Sequence, residues 1–196
     1  MKPRGTPQAP RVAATCGALA VALLASAFTA GAADAPARAT GGNATALSAE
    51  LVKPGLYRIN AGGGSTLLRL GSNGLIVVDS NRAGLYGPLM TEIQGIAKGV
   101  PVGALVLTAT GPSQIGNVSQ FIDAGIPVVV QQRAQARIAG VARPSGTMST
   151  KSLITYGDDY QLRVGNIDAA VEYVGSGRTG GDSVVHFPDL RAVAVG

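Results

Sequence analysis

The sequence predicts a mixed α/β protein built in layers, and three observations carry that reading. Short aliphatic runs joined by glycine-rich turns open the ordered part, strand–helix alternation fills its middle, and tightly turned strands return at its end. Gly is abundant, 28 residues in all, as many tight turns demand. With 46% hydrophobic and 14% charged residues, a chain of 196 can form one domain with its own core.

The elements follow in chain order. Lys2, Arg4 and Arg11 make a positive start, Val12 to Ala30 is an apolar run, and Ala30-Gly31-Ala32 offers an A-x-A cleavage site. That is the order of a secretory signal peptide, so residues 1–33 are set apart and the protein is expected to be exported, to a periplasm or the medium. A retained anchor fits less well, because the run is Ala-rich and ends in small residues. No later run is apolar enough to span, so no membrane contact is expected after cleavage. Cys16 lies inside the apolar run rather than after it, so lipid attachment is not expected and the mature chain carries no cysteine. Residues 34–50 are small and polar and read as a flexible lead-in. The domain is expected over 51–196.

Within it, 56–60, 65–70 and 75–79 read as successive strands, joined by hairpin chemistry at Ala61 to Gly64 and Gly71 to Gly74. The third run is apolar at consecutive positions and should be buried on both faces. A helix follows over 87–98, with Leu89, Ile93 and Ile96 on one side, then a strand over 104–107, a loop, and a short helix over 116–124. A strand over 126–130 and a helix over 131–138 complete the middle. The end reads as strands 152–156, 160–164, 167–174, 183–187 and 191–195, with turns at Gly157 to Asp159 and at Gly165-Asn166.

Charge excludes one class of function. The formal charge is +5, but removing the three leader cations from 16 basic residues leaves 13 against 11 acidic ones. No Lys/Arg cluster is interleaved with aromatics, so nucleic acid is not an expected partner. Gly62, Gly63 and Gly64 precede a strand, whereas a nucleotide fingerprint needs a helix to receive the phosphate. Asn43 and Asn117 fit the glycosylation pattern, which chance supplies often. Asp158 and Asp159 make a turn rather than a calcium loop.

The most informative segment runs from Leu105 to Asn117: Leu-Val-Leu-Thr-Ala-Thr-Gly-Pro-Ser-Gln-Ile-Gly-Asn. It resembles the metallo-β-lactamase superfamily motif Thr-His-x-His-x-Asp-His-x-Gly-Asn, in which Thr108, Gly116 and Asn117 match. The four metal-binding positions fall instead on Ala109, Gly111, Ser113 and Gln114. Near the end, Gly177 to Asp182 resembles the family's Gly-His-Thr-x-Gly-Asp, with Arg178 in the histidine's place and Thr179, Gly181 and Asp182 retained. Asp79 closes the third strand where the family often has an Asp supporting the site.

The resemblance implies a metallo-β-lactamase-like four-layer α/β-β/α sandwich. Relatives continue past the last strand with an acidic ligand, helices and a final His, so the fold is expected to be incomplete at the C-terminus. Active relatives hold zinc between the sheets and hydrolyse amides, esters or thioesters. Catalytic zinc needs about three protein ligands of imidazole, thiolate or carboxylate type plus a water. Here Ala109 and Gly111 have no ligating atom, Ser113 and Gln114 offer neutral oxygens, and Arg178 is a permanent cation. His186, the sole histidine, lies in a strand where the family uses no ligand.

The expectation is therefore no zinc cofactor and no catalytic residue. The protein is expected to be a non-catalytic binding protein or decayed paralogue, with Ser113, Gln114, Arg178 and Asp182 as candidate contacts for a small anion. The alternative is a hydrolase of the superfamily working through Ser113, for which the sequence places no His, Lys or Cys as base and offers only Asp182 or Asp79, each with a ready structural role as a turn or loop acceptor.

Overall fold

The computed structural model describes residues 46–141 and 152–196. The expected leader and residues 34–45 of the lead-in lie outside them. The chain opens with four antiparallel strands: β1 (Ser48–Lys53), β2 (Leu56–Ala61), β3 (Gly64–Leu70) and β4 (Leu75–Val78). Helix α1 (Tyr86–Ala97) then leads to β5 (Val102–Val106). Helices α2 (Pro112–Ile115) and α3 (Val118–Asp123) lead to β6 (Val128–Gln131), and α4 (Gln135–Val141) precedes β7 (Leu153–Tyr156). Strands β4 to β7 pair in parallel, so these seven strands form one mixed sheet in chain order. A second, antiparallel sheet is formed by β8 (Asp159–Val164), β9 (Ile167–Gly175), β10 (Asp182–Phe187) and β11 (Ala192–Val195).

Period-two alternation divides the core in two. Leu75 and Val77 of β4, Leu105 of β5, and Val128 and Val130 of β6 face the helices, where they meet Leu89, Ile93, Phe121 and Ile138. Ile76 and Val78, Ala104 and Val106, and Val129 face the second sheet, against Ile167, Val171, Val185 and Phe187. The central strands are thus apolar at successive positions, over 75–78, 104–106 and 128–130, because both faces are covered. The described residues build three layers: helices, mixed sheet, antiparallel sheet. Beyond the packed core, Arg69 of β3 forms an ion pair with Asp189 just after β10, and Lys53 donates to the Leu190 carbonyl at 2.8 Å. On the outer face of the second sheet Val174, Val193 and Val195 are 61%, 59% and 69% exposed.

Three boundaries depart from the sequence expectation. The first strand starts at Ser48, inside the segment read as lead-in; all six of its residues are exposed, so no alternation marked it. The helix expected over 116–124 is α3, Val118–Asp123, and the loop expected before it holds the extra turn α2, Pro112–Ile115; between the two, Gly116 lies against the loop after β4. An added Cβ there would lie 2.1 Å from the Ala83 nitrogen, and the Gly116 N–H donates to the Asn81 carbonyl at 3.0 Å. The helix expected over 131–138 begins as a 3-10 turn at Gln132–Ala134 and continues to Val141.

Candidate functional site

The parallel strands β4, β5 and β6 all deliver their following loops to one edge of the mixed sheet, the place where open α/β sheets present ligand-binding residues. The loop after β4 begins with Asp79 and Asn81 in left-handed conformation, φ 63° and 62°. Asp and Asn tolerate that region better than other residues with a side chain, and such strain gathers at sites. The Asp79 carboxylate accepts both the Thr108 N–H at 2.8 Å and the Thr108 hydroxyl at 2.6 Å. Burial pushes the Asp79 carboxyl up to about 7, with the two Thr108 bonds offsetting only part of it.

The neighbouring loops are tied to this one. Ser80 donates from its backbone N–H and its hydroxyl to the Gln114 carbonyl, at 2.7 and 2.8 Å. Buried Asn117 donates its amide to the carbonyls of Ser80 and Arg82, at 2.6 and 2.7 Å. From the second sheet, the Ser183 N–H donates to the Thr108 carbonyl at 2.7 Å, which brings the β9–β10 loop to the edge.

That loop places Arg178 beside Gly111. An added Cβ at Gly111 would lie 3.3 Å from Arg178 Nη2 and 2.5 Å from Gln114 Oε1. The guanidinium and the amide thus border the space into which a side chain at position 111 would project. Arg178 also lines a cavity of about 410 Å³ with Thr110, Gly111, Arg133, Arg137 and Gly181. Arg137 donates its Nε to the Thr110 carbonyl at 3.0 Å, and Arg133 lies over the Tyr173 ring at 5.2 Å. Among the described residues none of these three arginines is in an ion pair; the pairs are Arg69–Asp189 and Arg163–Asp168.

The other two expected contacts are not among the residues lining the arginine cavity. Ser113 donates its hydroxyl to Gln114 Oε1 at 3.0 Å, which keeps it beside the space at Gly111, and its Cβ lies towards Gly64. Asp182 does not pair with the Arg178 side chain: its carboxylate accepts the Thr179 hydroxyl and the Thr179 N–H. Burial raises this carboxyl, but the Thr179 hydroxyl and the N–H groups of Thr179, Arg178 and Gly177 lower it more, leaving it below the ordinary range. Asp182 therefore shapes the loop that presents Arg178. Arg133 and Arg137 were not read from the sequence. Their signal was a four-residue spacing on the element after a buried strand, which puts both on one face.

The donor set does not suit zinc. Positions 109 and 111 carry no ligating atom, Gln114 is a neutral amide, and position 178 brings a positive charge. Among the described residues no three His, Cys, Asp or Glu side chains converge as a metal site would require.

Two facing sheets, helices against the first, and a loop after β5 that meets the β9–β10 loop define the class: this is the metallo-β-lactamase fold. A metallo-β-lactamase from Pontibacter korlensis superposes with a TM-score of 0.64 at 19% identity, over 76% of this chain and 70% of that one. The metallo-β-lactamase IND-7 superposes at 0.62 with 20% identity, over 75% and 69%. The inverting sec-alkylsulfatase Pisa1 from a Pseudomonas species superposes at 0.57 with 12% identity, over 73% and 30%. No family model matches the chain, and no curated protein matches it in sequence. A lactamase and a sulfatase share this fold, so the fold leaves the chemistry open.

Proposed function

We propose that this protein is an exported, non-catalytic receptor for a small organic or inorganic anion. One observation carries the reading: Arg178, Arg133 and Arg137 surround one cavity with no acidic partner among the described residues, at the edge where the fold presents ligands. Guanidinium groups offer planar, paired N–H donors that match carboxylate and phosphate oxygens. Arg137 is already oriented by Thr110 and Arg133 by the Tyr173 ring, which reduces the ordering cost of binding. No zinc is required, since the cations are supplied by the chain.

The hydrolase alternative lacks an activated nucleophile. The Ser113 hydroxyl is spent on an amide oxygen, and the one carboxyl raised to about 7, Asp79, is bonded to Thr108 instead. Export rests on the order of charges, apolar run and small residues over 1–33. The mass of the protein recovered outside the cytoplasm tests it, and a full-length mass there would count against cleavage.

Titration with inorganic phosphate and succinate tests the receptor reading. Binding should weaken at least about tenfold in Arg178→Ala, the loss expected for a charge-assisted hydrogen bond. Equal binding by the variant, or no binding by the parent, would refute the assignment.

A further inference from the structure

A second cavity adjoins the arginine cavity and differs from it in character. It measures about 380 Å³ and is lined by Ala83, Pro112, Ile115, Gly116 and Val141 together with Arg82 and Arg137. Pro112 and Arg137 belong to the walls of both cavities, so the two are neighbours across that pair. Each alone is near the lower size of a ligand site, whereas together they fall well inside the usual range. An apolar lining next to a cluster of cations matches a ligand with one charged end and one apolar end.

We infer that the ligand is an amphiphilic anion, with its carboxylate, phosphate or sulfonate head among Arg133, Arg137 and Arg178 and an apolar tail over Pro112 between Ala83, Ile115 and Val141. This rests on the anion-receptor reading and extends it by naming the ligand class. Arg137 is the hinge of the arrangement. Its Nε is held by the Thr110 carbonyl, its remaining N–H groups serve the head, and its aliphatic stem forms part of the tail wall.

The experiment is calorimetric titration of the purified chain with acetate, butanoate, hexanoate and octanoate below their micelle-forming concentrations, with inorganic phosphate and octanol alongside. Affinity should rise about three- to fourfold per added methylene until the second cavity is full. Octanol should bind far more weakly than octanoate. In Val141→Asn combined with Ala83→Gln the ratio of octanoate to acetate affinity should collapse towards one, while in Arg178→Ala all the anions should weaken together. Arg178-dependent binding of acetate and phosphate with no gain along the series would overturn the amphiphile and leave the anion site standing. A gain that persists in the double variant, or octanol binding as well as octanoate, would overturn it too. No binding of any anion would remove both readings.

Discussion

Asp79 shows how one residue can set a pH response. Its carboxyl titrates near 3.8 when the chain is unfolded and about 7 when folded. Between those values the folded protein holds more protons than the unfolded chain, so stability is full below 3.8 and falls as pH rises through about 7. Denaturant midpoints measured across that window should decline with pH. Asp79→Asn keeps an acceptor for the Thr108 N–H and removes the titration, so its midpoints should stay level; an unchanged slope would reassign the effect. Asn117 acts by a different route, as a fully buried amide holding two loop carbonyls. Asn117→Ala should cost about 2–3 kcal/mol in chemical denaturation, because two buried acceptors lose their donors. The sequence singled out Asp79 and Asn117 through their place in a familiar frame. Their hydrogen bonds could not be read there, since each partner is a loop residue distant in the chain.

At the scale of elements, the loop after β5 and the loop between β9 and β10 act as a pair. Gly111 leaves room and Arg178 borders it, so the two positions depend on each other. Gly111→His alone should displace the Gln114 amide, whose Oε1 lies 2.5 Å from the added Cβ. Ala109→His with Gly111→His and Arg178→His places three imidazoles at the loop pair and removes the cation. Elemental analysis after zinc loading and desalting should find close to one zinc per chain in the triple variant and below about 0.1 in the parent. Stoichiometric zinc in the parent would mean that a site exists away from these positions. The candidate site was only half legible in the sequence. Arg178, Gln114, Ser113 and Asp182 stood out through the motif, with Ser113 bonded to Gln114 and Asp182 holding the Arg178 loop, whereas Arg133 and Arg137 sit in no motif. A motif reports neighbours in the chain, whereas the cavity gathers residues from two loops and from the helical segment after β6.

For the whole molecule, the order of strands and helices was legible because burial on one or two faces leaves a periodic imprint. The central strands show it at consecutive positions over 75–78, 104–106 and 128–130, and α1 shows it at Leu89 and Ile93. The division into two sheets was not legible from periodicity and came through resemblance, since strands of either sheet alternate alike. β1 left no imprint, being exposed along its length. The outer face of the second sheet carries another consequence. Val174, Val193 and Val195 stand open to solvent, and apolar patches of this kind promote association. Replacing all three with Thr should raise the concentration at which light scattering still reports a single species; no change would show that the patch is inert.

A receptor whose charge is written into the chain differs in temperament from one that borrows it from an ion. Chelators, scarcity of trace metals and competition with other zinc proteins strip or starve a borrowed centre, while the Arg178 guanidinium is part of the chain itself. On the proposed reading, such a protein would need no metal-loading step before use. It would serve as well in a metal-poor setting as in a rich one.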